Sequence, residues 1–125
     1  MAESKRQQQV GSLIKMHFST VLMNEGPNIY KNVLVTVTNV VMSSDLGLAK
    51  IYLSVFGTEN KQAIILELEQ NNRLLRQQLA NRIKRHVRRI PEIDVYLDET
   101  LDEMYKLRGL FGQLHEEKKM GKEEE

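Results

Sequence analysis

The 125-residue chain has no cysteine, which excludes disulfides, cysteine-ligated zinc and thiol catalysis and suits a reducing compartment. No apolar run approaches the roughly 18 residues that a membrane-spanning helix needs. Residues 1–10 are charged and Gln-rich with no apolar segment behind them. They do not read as a signal peptide, and a cytoplasmic location without membrane contact is the expectation. Aromatic residues make up only 6% of the chain and are scattered along it. No strand carries the aromatic pair of an RNP-type sheet, so reading single-stranded sequence by base stacking is not expected. A Gly-rich phosphate loop, a nucleophile motif and paired carboxylates in an apolar setting are all missing, so the reading is no enzyme, no cofactor and no small-molecule substrate. The three histidines, His17, His86 and His115, fall on three separate predicted helices without ligand spacing, and no metal site is expected.

What is present suits one ordinary domain. Hydrophobic residues are 41% of the chain, enough for a single core. The net charge of +1 averages two opposed regions. Between Gln70 and Pro91 lie seven basic residues, Arg73, Arg76, Arg82, Lys84, Arg85, Arg88 and Arg89, with His86 among them and no acid. From Glu92 onward acids dominate. Solvated helix faces usually mix signs, because like charges at i,i+4 are mildly destabilising. Here Lys84/Arg88 and Arg85/Arg89 repeat at that spacing without local relief, which points to a partner that supplies negative charge. Six of the seven are arginine, whose planar guanidinium suits phosphate contact better than an ammonium does. Such contacts position a protein on folded RNA without reading its sequence. The later acids Asp98, Glu99, Asp102 and Glu103 are explained by helix capping and the macrodipole, without a metal.

Periodicity supplies the elements. Val10, Leu13, Ile14, Phe18, Val21 and Leu22 make one apolar stripe, with His17 packed in it, on a first helix that Gly26-Pro27-Asn28 should stop. Val33–Met42 and Ala49–Phe56 alternate as strands and, joined across Ser43–Gly47, read as a hairpin. A long helical stretch from about Lys61 to Ile90 carries Ile65, Leu68, Leu75, Leu79, Ile83, Val87 and Ile90 on one face. It should kink at Asn71-Asn72 and end at Pro91, with Lys84, Arg85, Arg88 and Arg89 projecting from the opposite side. Glu92–Leu97 reads as a third strand. A capping box at Thr100–Glu103 opens a last helix with the stripe Leu101, Met104, Leu107, Phe111 and Leu114. The charged residues after His115 cannot bury a core and are expected to be disordered. The architecture is an α+β layer with helices on one side of a small sheet.

Several of these stretches together resemble the bacterial ribosome-binding factor A family. Val40-Val41-Met42-Ser43-Ser44-Asp45-Leu46-Gly47-Leu48-Ala49-Lys50-Ile51-Tyr52-Leu53 is similar to the family's hairpin. Leu74-Leu75-Arg76, Leu79, Arg82-Ile83 and Arg88-Arg89-Ile90-Pro91-Glu92-Ile93 resemble its second helix and the exit from it. Arg6-Gln7-Gln8-Gln9-Val10 and Asp98-Glu99-Thr100-Leu101 also fit, so the likeness covers about residues 5–114. It implies a type II KH-like domain (helix-strand-strand-helix-kink-helix-strand) over 5–114, with an extra C-terminal helix and a charged tail at 115–125. Asn71-Asn72-Arg73 stands where the family has an Ala-x-Gly kink, so the bend would either differ in angle or be supported by asparagine side chains rather than by a glycine. The resemblance further implies a non-enzymatic assembly factor, a monomer that binds the free 30S small subunit and assists late 16S rRNA maturation, particularly in the cold. Its partners would be 16S rRNA and neighbouring ribosomal proteins. The expected RNA-binding residues are Arg73, Arg76, Arg82, Lys84, Arg85, Arg88, Arg89 and Lys50, with Lys5 and Arg6 adding electrostatic reach. The competing reading is a protein-interaction module that pairs through its amphipathic first and last helices, its basic face being merely solvated.

Overall fold

A computed structural model describes residues 3–99. The elements run α1 (Lys5–Ile29), β1 (Leu34–Met42), β2 (Leu48–Phe56), α2 (Lys61–Gln70), α3 (Asn72–Ile83) and β3 (Glu92–Leu97). The expected last helix and tail lie outside the described residues. The strands form one sheet in the order β1-β2-β3. β1 and β2 pair antiparallel as the expected hairpin, and β3 returns parallel to β2. A parallel return needs a crossover, which α2 and α3 supply.

Burial explains the layering. Ala49, Ile51, Leu53 and Val55 alternate along β2 and are all buried, so the central strand anchors the core. On β1 the buried positions change phase, from Val37 to Val40 and Met42. The register shifts between Val37 and Asn39, where Thr38 forms a β-bulge. One extra residue exchanges the two faces of the strand. Simple alternation starting from Val33 therefore holds only as far as Val37. α1 packs on β1 and α3, and α2 packs on β3. The α1 stripe Val10, Ile14, Phe18, Val21 and Leu22 is buried as expected, with Leu13 packed at its margin.

α1 differs from expectation at its end, because it runs through Pro27 to Ile29. A residue before proline avoids helical geometry chiefly through a clash involving its Cβ. Gly26 has no Cβ, and its bare Cα faces the Tyr30 side chain, where a Cβ would collide with the ring. The Tyr30 amide closes the turn on the Gly26 carbonyl at 2.8 Å.

The expected bend occurs at Asn71, with φ −102° and ψ 17°. Asparagine side chains do hold it. Asn71 Nδ2 donates back to the Glu67 carbonyl (2.8 Å), and Asn72 Nδ2 donates to the Ile93 carbonyl on β3 (2.9 Å). The first satisfies a carbonyl at the end of α2. The second ties the start of α3 to the sheet.

The basic run departs furthest from expectation. α3 ends at Ile83, seven residues before Ile90. Residues 84–86 form a turn and 87–91 have no regular structure. Val87 and Ile90 still pack against the core, so the apolar pattern holds while the backbone is not helical. Two physical causes act together. Like charges at i,i+4 and a β-branched Val87 weaken a helix here. The chain must also return to begin β3 beside Leu48, whereas seven more helical residues would carry it about 10 Å further along the α3 axis.

Candidate nucleic-acid interface

The expected residues separate into three settings. Arg73, Arg76 and Arg82 lie on α3, Lys84 caps it, and Arg85, Arg88 and Arg89 sit in the loop leading to β3. Lys50 lies on β2, exposed on the sheet face opposite Ala49 and Ile51, beside Asp94 in the register with β3. Arg82 and Lys84 at the C-terminal end of α3 also have a local reason to be basic, since unpaired carbonyls there favour cations.

Arg76 is committed internally. Its Nε donates to the Pro91 carbonyl (2.9 Å) and its Nη2 to the Ile90 carbonyl (2.8 Å), while Nη2 also lies 3.4 Å from the Glu92 carboxylate. The fork-shaped guanidinium thus satisfies two carbonyls of the irregular segment that leads into β3. Glu92 is largely exposed, so the ion pair adds little. Arg76→Ala is expected to destabilise the fold by about 1–2 kcal/mol through those two hydrogen bonds. Arg76→Lys, which cannot span both carbonyls, should recover less than half of the loss. Urea unfolding of the three proteins checks this, and equal midpoints would remove Arg76 from this role.

The loop cations remain exposed, and the fold brings others beside them. Arg82 Nε donates to Nδ1 of His17 on α1 at 3.3 Å. The His17 ring stacks with that of His86, centroids 6.3 Å apart. Partial burial and the nearby Arg82 and His86 hold the His17 imidazole below its ordinary range, so it stays a neutral acceptor near pH 7. Arg6 Nη2 reaches the His86 carbonyl at 3.5 Å, which places the first turn of α1 against the loop. His17 was expected as a packed stripe residue and the histidines as separate; the tertiary fold places two of them together. Periodicity alone gave no signal for that pairing.

Arg89 reaches across the hairpin turn. A Cβ on Gly47 would sit 2.7 Å from its Nη2, so the guanidinium lies directly over the glycine. Asp45 Oδ1 accepts from Ser43 Oγ (2.7 Å) and the Gly47 amide (3.0 Å). These bonds, with a smaller contribution from Arg89, hold the Asp45 carboxyl below the usual carboxylate range. The sheet's second face holds another unexpected pair. Tyr52 on β2 and Tyr96 on β3 stack with centroids 5.4 Å apart. No single strand carries both rings, so the pair is visible only once the parallel register is known. Among the described residues no three His, Asp or Glu side chains come together to hold a metal, and no helix is long and apolar enough to cross a membrane.

These features define a small α+β protein that concentrates arginine on one loop-and-helix surface. The chain belongs to the ribosome-binding factor A family, whose sequence profile matches residues 6–111. It is 42% identical over 100 residues to the ribosome-binding factor A of Cytophaga hutchinsonii, covering 80% of this chain and 75% of that one. To that of Chlorobaculum tepidum it is 36% identical over 108 residues, covering 86% and 88%. Its fold is similar to the crystal structure of ribosome-binding factor A from Thermus thermophilus, with a TM-score of 0.61 at 22% identity over 73% of this chain and 94% of that one. It also resembles, with a TM-score of 0.56 at 24% identity, the Thermus thermophilus factor as fitted into the electron-microscopy map of a 30S complex, over 70% and 90% of the chains.

Proposed function

We propose that this chain is a non-enzymatic assembly factor that binds the free 30S subunit and assists late maturation of 16S rRNA. The observation that carries the proposal is the exposed cationic surface of Arg85, Arg88 and Arg89, extended by Arg82 and Lys84 and joined by Arg6 from α1. The Thermus thermophilus relative fitted into a 30S complex supports the choice of partner. In this reading residues 5–114 act in the cytoplasm as a monomeric KH-like unit. Arg73 and Lys50 are peripheral phosphate contacts, and Arg76 shapes the surface rather than touching RNA. The mechanism is binding energy alone, holding rRNA helices in one arrangement through contacts to their backbones.

The interaction-module reading is weakened by α1, whose apolar stripe is already used in the core. Salt separates the two. Neutralising about four phosphates gives a log–log slope of affinity against salt of roughly −3, whereas an apolar helix interface barely responds. Co-sedimentation of the tagged chain with free small subunits and with intact ribosomes, across a salt series, measures both slope and preference. Enrichment on free small subunits that falls steeply with salt is the expected result. A protein that stays at the top of the gradient at every salt overturns the proposal.

A further inference from the structure

Beside the cationic surface lies a cleft of about 340 Å³, bounded by Arg6 and Val10 of α1, Asp45 and Leu46 of the hairpin turn, and residues 87–89 of the loop. Its lining residues are divided between aliphatic Val10, Leu46 and Val87 and cationic Arg6, Arg88 and Arg89, with the acid Asp45 among them. The volume lies at the small end of the roughly 300–1,000 Å³ range of ligand sites, suited to a single planar group and its charged appendage. It is far too small for a helix or a peptide strand.

The rim is held in place at a conformational cost. Leu46 has φ +62°, a left-handed geometry that glycine or asparagine adopts readily and a bulky residue rarely does. Strain of this kind persists where the surroundings over-determine it, and it collects at ligand clamps. Here the turn is over-determined by the Ser43–Asp45–Gly47 hydrogen bonds and by Leu48 N donating to Ser43 Oγ at 2.9 Å. The carboxylate so fixed repels phosphate and accepts N–H donors. The arginines do the reverse.

A ligand that satisfies all three chemistries has a flat apolar body, adjacent N–H donors on its edge and a phosphate. We infer that the cleft takes one unpaired nucleotide of the bound RNA, its base against Val10, Leu46 and Val87 and its phosphates on Arg6, Arg88 and Arg89. Guanine is preferred over uracil. Guanine offers two neighbouring N–H donors to a carboxylate, while the uracil imino group is flanked by carbonyls that the carboxylate repels. This inference rests on the RNA-binding reading above and adds a base preference that backbone contacts cannot supply.

The test is fluorescence anisotropy with labelled, blunt-ended RNA duplexes carrying one bulged guanosine, one bulged uridine or no bulge. The intact chain is expected to bind the guanosine bulge about tenfold more tightly than the perfect duplex, the scale set by burying one apolar ring face. The uridine bulge should fall between them. Leu46→Gly removes the rim side chain while accepting φ +62° without strain, and it should reduce the preference to below about twofold. Equal binding of all three duplexes overturns the cleft and leaves the RNA reading standing. Binding of none at low salt overturns both, and a preference that survives in Leu46→Gly overturns the site.

Discussion

Replacing Arg85 and Arg88 together by glutamate is expected to weaken binding to free small subunits by about tenfold to a hundredfold at moderate salt. Each reversal removes one phosphate contact and adds one repulsion, so the loss should shrink as salt rises and the salt slope should flatten by about two. Both residues are exposed in the loop after α3, and neither anchors it. That task falls to Val87 and Ile90 against the core and to Arg76 on the carbonyls of Ile90 and Pro91. The variant should therefore keep its circular dichroism spectrum and unfolding midpoint, which separates lost binding from lost structure. Unchanged affinity in the sedimentation assay would remove the loop from the interface and shift attention to Lys50 and the second sheet face.

Phe18→Ala is expected to cost about 3–5 kcal/mol, the range for deleting a fully buried aromatic ring. Phe18 is 0% exposed and lies in the α1 stripe between Ile14 and Val21. A domain of this size has a total stability of roughly 5–15 kcal/mol, so the loss is a large fraction of it. At about 4–8 °C per kcal/mol, the thermal midpoint should fall by at least about 12 °C. Met23→Ala on the same helix is the contrast. Its side chain is 76% exposed, and the change should stay within about 0.5 kcal/mol. A small effect at Phe18 would mean that α1 is not seated on the sheet as described.

Much of the fold was legible because burial leaves a period in the chain. The α1 stripe, the β2 alternation Ala49-Ile51-Leu53-Val55 and the bounds of β3 follow from that period alone, and all three occur where expected. The bend at Asn71 was also legible, since weak helix formers in mid-helix mark a place where the backbone can turn. Three local features differ from what the period implies, each through competition that no period reports. Gly26 permits the turn that Pro27 was expected to end, Thr38 exchanges the faces of β1, and the loop 84–91 keeps a helical apolar pattern without a helix.

The site divides along the same line. Which residues are cationic, and that they gather without acids between Gln70 and Pro91, was determined by the sequence itself, because charge composition needs no folding to be read. What each cation does was decided by tertiary structure. α3 stops at Ile83, which turns Arg76 inward onto two open carbonyls and leaves Arg85 and Arg88 exposed. Arg82 meets His17, Arg6 meets the His86 carbonyl, and Arg89 lies over Gly47, across sequence separations of 65, 80 and about 40 residues. The stacking of Tyr52 on Tyr96 likewise waits on the parallel pairing of β2 with β3. Local chemistry sets a residue's charge and periodicity sets which face it occupies, but the direction of a guanidinium depends on which carbonyls, rings and turns the packed core brings within its reach.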